Sequence, residues 1–288
     1  MKINSYYFYK SYHGHNIRDL KILYKGLKRL NPMKNFIYLA GDSSLDNKYW
    51  IDNEYRIAIN DYEKILEPTV MKPDICYHLN NLSNKYYTIN CAVEGSTINN
   101  RQETGLFCQE KFIRSNITKN DILIVSVGGN DIALSPSAKT IWNMILLVYF
   151  NSLDTLLNNC QNAWGFTHFV KMFKTDVKNY ILKIIGQTRP KKILVCMIYF
   201  PYMKVNNSWA DKTLGYLGYN TNPEKLQAAI KQIFHYATSK IKIRGSKVIP
   251  VPMFNILDGK TSSDYVQRVE PSTIGGEKLA KLFLTYII

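Results

Sequence analysis

A three-layer α/β/α fold around a parallel sheet of about five strands is what this sequence predicts, on three observations. Short, continuously apolar runs recur along the chain, helical patterns separate them, and turn sequences follow the first three runs. Strands buried on both faces of a parallel sheet read as continuous apolar runs, and their alternation with helices winds such a sheet.

Element by element, Asn16 caps a helix whose apolar positions Ile17, Leu20, Tyr24, Leu27 and Leu30 follow helical spacing, and Pro32 stops it. Strands are predicted over 36–40, 86–92, 122–127 and 193–199, the last bounded by Pro190 and Pro201. A fifth, over 248–251, carries Pro250, which points to a sheet edge because proline cannot donate to the ladder. Helices are predicted over 166–185 and 276–286. Another starts at Asn222-Pro223-Glu224 and runs through Leu226, Ala229, Ile230, Ile233 and Ala237. With no repeat, linker or low-complexity stretch, the chain reads as one domain over 1–288, with 1–34 as an N-terminal helical extension.

The 288 residues are 46% hydrophobic and 20% charged, the balance of a globular protein. Five scattered cysteines show no paired spacing, so buried free thiols are expected rather than disulfides or a zinc site. The longest apolar run, 144–150, falls far below the roughly 20 residues that span a bilayer. The polar N-terminus reads as no secretory signal, which predicts a soluble intracellular protein. A net charge of +15 fits nucleic acid, anionic lipid or acidic substrates, but the lysines are dispersed and form no basic block. A nucleic-acid partner therefore ranks last among the readings.

Chemistry concentrates after the strands, where open α/β sheets bind ligands. Gly41-Asp42-Ser43-Ser44 follows the first run, Val93-Glu94-Gly95-Ser96 the second and Gly128-Gly129-Asn130-Asp131 the third. A serine at a tight strand-to-helix turn projects its hydroxyl into the crevice, and glycine before it permits the unusual backbone angles. Asp42 reads as a structural residue of that turn, while Asp46 and Asn47 read as caps or braces of the following helix. A fourth segment, Glu270-Pro271-Ser272 with Gly275-Gly276, lies near the C-terminus.

In this order the segments resemble the sequence blocks of the SGNH/GDSL hydrolases. The resemblance covers most of the chain. It implies a flavodoxin-like α/β fold and a serine hydrolase (esterase, deacetylase or lipase) acting on a small-molecule, lipid or carbohydrate ester. Ser43 would be the nucleophile, and the Ser43 and Gly95 backbone N–H groups with the Asn130 amide would form an oxyanion hole. No metal or organic cofactor is implied.

The fourth block departs from the family's Asp-x-x-His: Gln267 stands at the aspartate position and Glu270 at the histidine position. Three readings stay open. Glu270 acts as the base, with burial raising its pKa from near 4.3. Alternatively one of His13, His15, His78, His168 or His235 reaches Ser43. In the third, the chain is a pseudoenzyme that binds a ligand in the same crevice. Segment 141–150 is favoured as a buried core helix, and its alternative is a lid or acyl-chain wall.

Overall fold

The computed structural model describes residues 2–288. Strands β1 (Asn35–Gly41), β2 (Tyr86–Asn90), β3 (Ile122–Ser126), β4 (Lys192–Met197) and β5 (Lys247–Pro252) form one sheet. They lie in the order 2-1-3-4-5, and every neighbouring pair is parallel. This is a doubly wound order, with its switch point between β1 and β3.

Side chains of a strand alternate between the two faces of the sheet. Phe36, Tyr38 and Ala40 of β1 join one core, while Ile37 and Leu39 join the other. The first core takes in Leu20, Leu23 and Leu27 of helix α1 (Ile17–Leu30). The second takes in Leu79 of α2 (Ile75–Leu82) and Phe283 of α10 (Thr273–Ile287). Helices therefore cover both faces, giving three layers, and the unbroken apolar runs follow from burial on both sides. β5 pairs only with β4, so Pro250 sits on an edge strand as its missing donor requires.

The remaining helices that matter here are α3 (Ile98–Glu103), α4 (Cys108–Asn116), α5 (Gly129–Ala133), α6 (Ala138–Tyr149), α7 (Phe166–Val170), α8 (Val177–Ile185) and α9 (Pro223–Tyr236). The helix expected over 166–185 is interrupted, because a π-helical stretch, Lys171–Asp176, separates α7 from α8. α10 starts three residues earlier than the sequence suggests. Ser272 caps it by accepting from the Gly275 N–H at 3.1 Å. Gly275 belongs to the helix because a Cβ there would lie 2.1 Å from the Asp264 carbonyl oxygen. Its glycine therefore reflects close packing rather than a loop.

Two expectations need correcting. Four cysteines are buried free thiols, but Cys108, the first residue of α4, is exposed. Segment 141–150 is only half buried. Met144, Leu147 and Val148 of α6 face inward, whereas Ile141, Trp142, Ile145, Tyr149 and Phe150 are exposed. Among the described residues no helix is long and apolar enough to cross a membrane.

Candidate active site

The turn after β1 is built by steric necessity. Gly41 has φ +144, and a Cβ there would lie 1.8 Å from the Ser126 carbonyl oxygen on β3, so no other residue fits. Asp42 donates its N–H to that same oxygen at 3.1 Å. Its Oδ1 accepts from the Ser44 N–H at 3.1 Å and the Ser44 hydroxyl at 2.6 Å, so Asp42 ties the turn together. Ser43 is held between them, buried. Among the described residues its backbone N–H has no acceptor.

The loops after β2 and β3 are fastened to this turn. The Val93 N–H donates to the Gly41 carbonyl at 2.9 Å and the Glu94 N–H to Asp46 Oδ2 at 3.1 Å. The Gly95 N–H, like that of Ser43, finds no acceptor among the described residues. Asn130 Nδ2 donates one hydrogen to the Ser96 carbonyl at 3.0 Å, leaving its second amide hydrogen available. Asp131 caps α3, accepting from the Ile98 N–H at 2.8 Å and the Asn99 N–H at 3.1 Å.

Glu270 arrives on a short hairpin in which Val266 pairs with Glu270 and Tyr265 with Pro271. Gln267 and Arg268 at its tip have φ of 53° and 64°, both left-handed as a tight hairpin turn requires. Gln267 Oε1 accepts from the Trp209 N–H at 3.2 Å, so this side chain is engaged elsewhere and does not orient Glu270. Asn47 braces the hairpin instead. Its Nδ2 donates to the Pro271 carbonyl at 3.0 Å, and its Oδ1 accepts from the Ile75 N–H at 3.1 Å. Asp46 pairs with the fully buried Lys48 at 2.6 Å. Asp46 makes no cap bond to the short helical turn that follows it, whereas Asn47 does bond the first N–H of α2; both tie distant segments to the Ser43 turn.

Four buried carboxyl groups, of Asp42, Asp46, Glu94 and Glu270, meet around this crevice. Burial raises the Glu270 pKa well above the carboxylate range. The neighbouring Ser43 hydroxyl opposes that rise, and the Asp42 and Asp46 charges add to it. Glu94 is raised by burial first and then by Glu270, so the two carboxyls titrate as a pair. Asp42 is pushed up to about 6, chiefly by burial. Asp42 Oδ2, Glu94 Oε2 and Glu270 Oε2 are all buried without a hydrogen-bond partner. Oxygens in that condition favour holding protons over holding charge. Tyr12 stands over the pair with its pKa pushed up to about 12, by burial and then by Glu94 and Glu270.

No histidine hydrogen-bonds to Ser43 among the described residues. His15 is buried, stacked on Phe8 at 3.8 Å between centroids. His78 is buried on α2, His168 contacts Thr140 at 3.2 Å, and His235 is exposed on α9. His13 lies at the second block, its Nδ1 3.2 Å from the Glu94 carbonyl oxygen and its ring beside Gly95.

Ser43, Asn130 and Glu270 therefore line one cavity, together with Met144, Leu147 and Val148 of α6. Gly95 is not part of its wall. It stands on the adjoining loop, against Tyr12 and His13. Glu94 and Tyr12 were missed in the sequence, although Glu94 lies beside Gly95 in the second block. No group of three or more His, Cys, Asp or Glu side chains among the described residues is arranged to hold a metal ion.

Fold and site define a doubly wound α/β/α protein with a serine and a cluster of carboxyls at the strand ends. No family model and no curated protein matches the chain. Solved structures to which it is similar include an extracellular lipase from Streptomyces rimosus, at 10% identity and a TM-score of 0.44 over 87% of this chain and 99% of that one. An acetylxylan esterase from Geobacillus stearothermophilus is 14% identical with a TM-score of 0.43, over 88% and 94%. A carbohydrate esterase family 3 protein from Talaromyces cellulolyticus is 12% identical with a TM-score of 0.40, over 88% and 96%. At such values likeness specifies neither substrate nor chemistry for this chain.

Proposed function

We propose that this protein is a serine ester hydrolase in which Ser43 is the nucleophile and Glu270 replaces the usual histidine as general base. One observation carries the reading. A buried serine whose backbone N–H lacks an acceptor shares a crevice with a buried, pKa-raised carboxyl and an amide that has a free hydrogen.

Glu270 takes the proton from Ser43 Oγ as the oxygen attacks the ester carbonyl carbon. The oxyanion is held by the Ser43 and Gly95 N–H groups and by Asn130 Nδ2, donors that need no reorganisation as charge develops. Collapse breaks the bond to the alcohol, which leaves with the proton returned from Glu270. Water, deprotonated by Glu270, then releases the acyl group from Ser43. An ordinary glutamate is too weak a base for this work, being some two pKa units below histidine. Burial supplies the missing basicity, worth about 1.4 kcal/mol for each unit recovered.

A second reading, a binding protein on the same fold, is favoured by the absence of any histidine bonded to Ser43. Hydrolysis of p-nitrophenyl esters by wild type and Ser43→Ala separates the two. Turnover abolished in Ser43→Ala supports the hydrolase; no turnover in the wild type at any pH leaves the binding protein.

A further inference from the structure

The polar groups of the cavity beside Ser43 gather mainly at one end, and the Trp209 indole N–H, buried without a partner, is a further one in its wall. Ser43, Asn130, Asp42 and Glu270 gather at the crevice. Away from these polar groups the wall is hydrocarbon: Leu147 and Val148 of α6, Phe169 of α7, and Ala229, Ile230 and Ile233 of α9. The α9 residues are almost fully buried, so the slot runs inward from the serine toward the packed interior.

Resting on the hydrolase reading, we infer that this slot is an acyl-chain subsite, and that the preferred substrates are esters of short unbranched acids, butyryl to hexanoyl. Three observations argue for it. The first is polarity gathered mainly at one end, which matches a carbonyl head at Ser43 and an alkyl tail beneath the inner face of α6. The second is position. In a serine hydrolase the alcohol leaves first and water must then enter, so a slot walled by core side chains suits the group that stays attached to Ser43.

The third is size. The cavity measures about 100 Å³. Since an apolar cavity of about 150 Å³ holds one benzene ring, this space holds roughly four carbon atoms. Acetyl would leave the slot empty, and a palmitoyl chain would overrun it.

The test is a p-nitrophenyl ester series from acetate to palmitate, read as kcat/KM. Each methylene that enters the slot is expected to add roughly fourfold. The rise should peak between butyrate and hexanoate and then fall. Ala229→Met, which fills the slot, should erase the advantage of butyrate over acetate, and Leu147→Ala, which enlarges it, should move the peak to longer chains.

A binding readout independent of turnover is calorimetric titration of 1-hexanol into Ser43→Ala protein, with and without Ala229→Met. Hexanol binding removed by Ala229→Met, without ester turnover in the wild type, would keep the apolar subsite and remove the hydrolase. Turnover that is highest on acetate, with no hexanol binding, would overturn the subsite and keep the hydrolase. Hexyl acetate outrunning ethyl hexanoate, with the same dependence on Ala229, would overturn the assignment to the acyl side.

Discussion

At the scale of single residues, the departure from the usual triad is chemically coherent. Replacing a histidine by Glu270 in a solvated site would leave a base unable to take a serine proton near neutral pH. Here Glu270 is buried, flanked by Asp42 and Asp46, and paired with Glu94, and these influences raise its proton affinity. Asn130 is a separate matter, because in the proposed mechanism its amide would act only on developing charge. Asn130→Ala is expected to lower kcat by about 10²–10³ while KM stays nearly unchanged. A matching rise in KM with kcat intact would instead mark Asn130 as a ground-state contact. Ser43, Asn130 and Glu270 were legible in the sequence because each follows a local signal, a strand end or a block near α10. Glu94 was not. An acidic residue in a loop reads as solvated, and its burial arises only when Asp46, Glu270 and Tyr12 converge from distant parts of the chain.

Among the elements, the crevice is held by a buried ion pair. Arg101 of α3 lies 2.5 Å from Glu110 of α4, and both are buried. Its Nη2 donates to the Gly41 carbonyl and the Ser96 hydroxyl, each at 2.9 Å, so one side chain links two helices to two loops of the site. Arg101→Ala would leave Glu110 buried with only the Tyr180 hydroxyl and the Phe107 N–H as partners. The expected cost is about 3–5 kcal/mol, visible as a lower urea midpoint. A change below about 1 kcal/mol would show that the pair is not a brace. Nothing local marks Arg101: in sequence it is a charge in a short polar helix. The strands, by contrast, were readable because burial on both faces leaves unbroken apolar runs. α6 misled for the converse reason. Apolar residues around its whole circumference suggested a core helix, yet half of them face solvent.

For the molecule as a whole, the buried carboxyls set how stability depends on pH. Asp42 is pushed up to about 6 and Asp74 to about 7, burial leading in each, and Glu94 and Glu270 are raised as well. Unfolded, these groups titrate near 4. A raised carboxyl therefore stabilises the fold at acid pH, where it is protonated in both states. That contribution is lost as pH rises through the folded value. His15, His78 and His168 are lowered by burial, so they oppose this trend only below about pH 6.5. Tm is thus expected to fall between about pH 6.5 and 8.5. A flat or rising Tm across that interval would mean the cluster is not buried in this form. Sequence reading could not supply this trend, since it depends on which carboxylates the fold dehydrates.

The central claim, a serine activated by a carboxylate, is tested most directly by the rate at which a fluorophosphonate probe labels Ser43 as a function of pH. Wild type should label at a rate that climbs with pH, with its inflection at about pH 8, and Ser43→Ala should not label. Glu270→Gln should label about 10²–10⁴ times more slowly and lose the inflection. Labelling of Glu270→Gln at the wild-type rate with an unchanged pH profile would contradict the claim and remove Glu270 as the base.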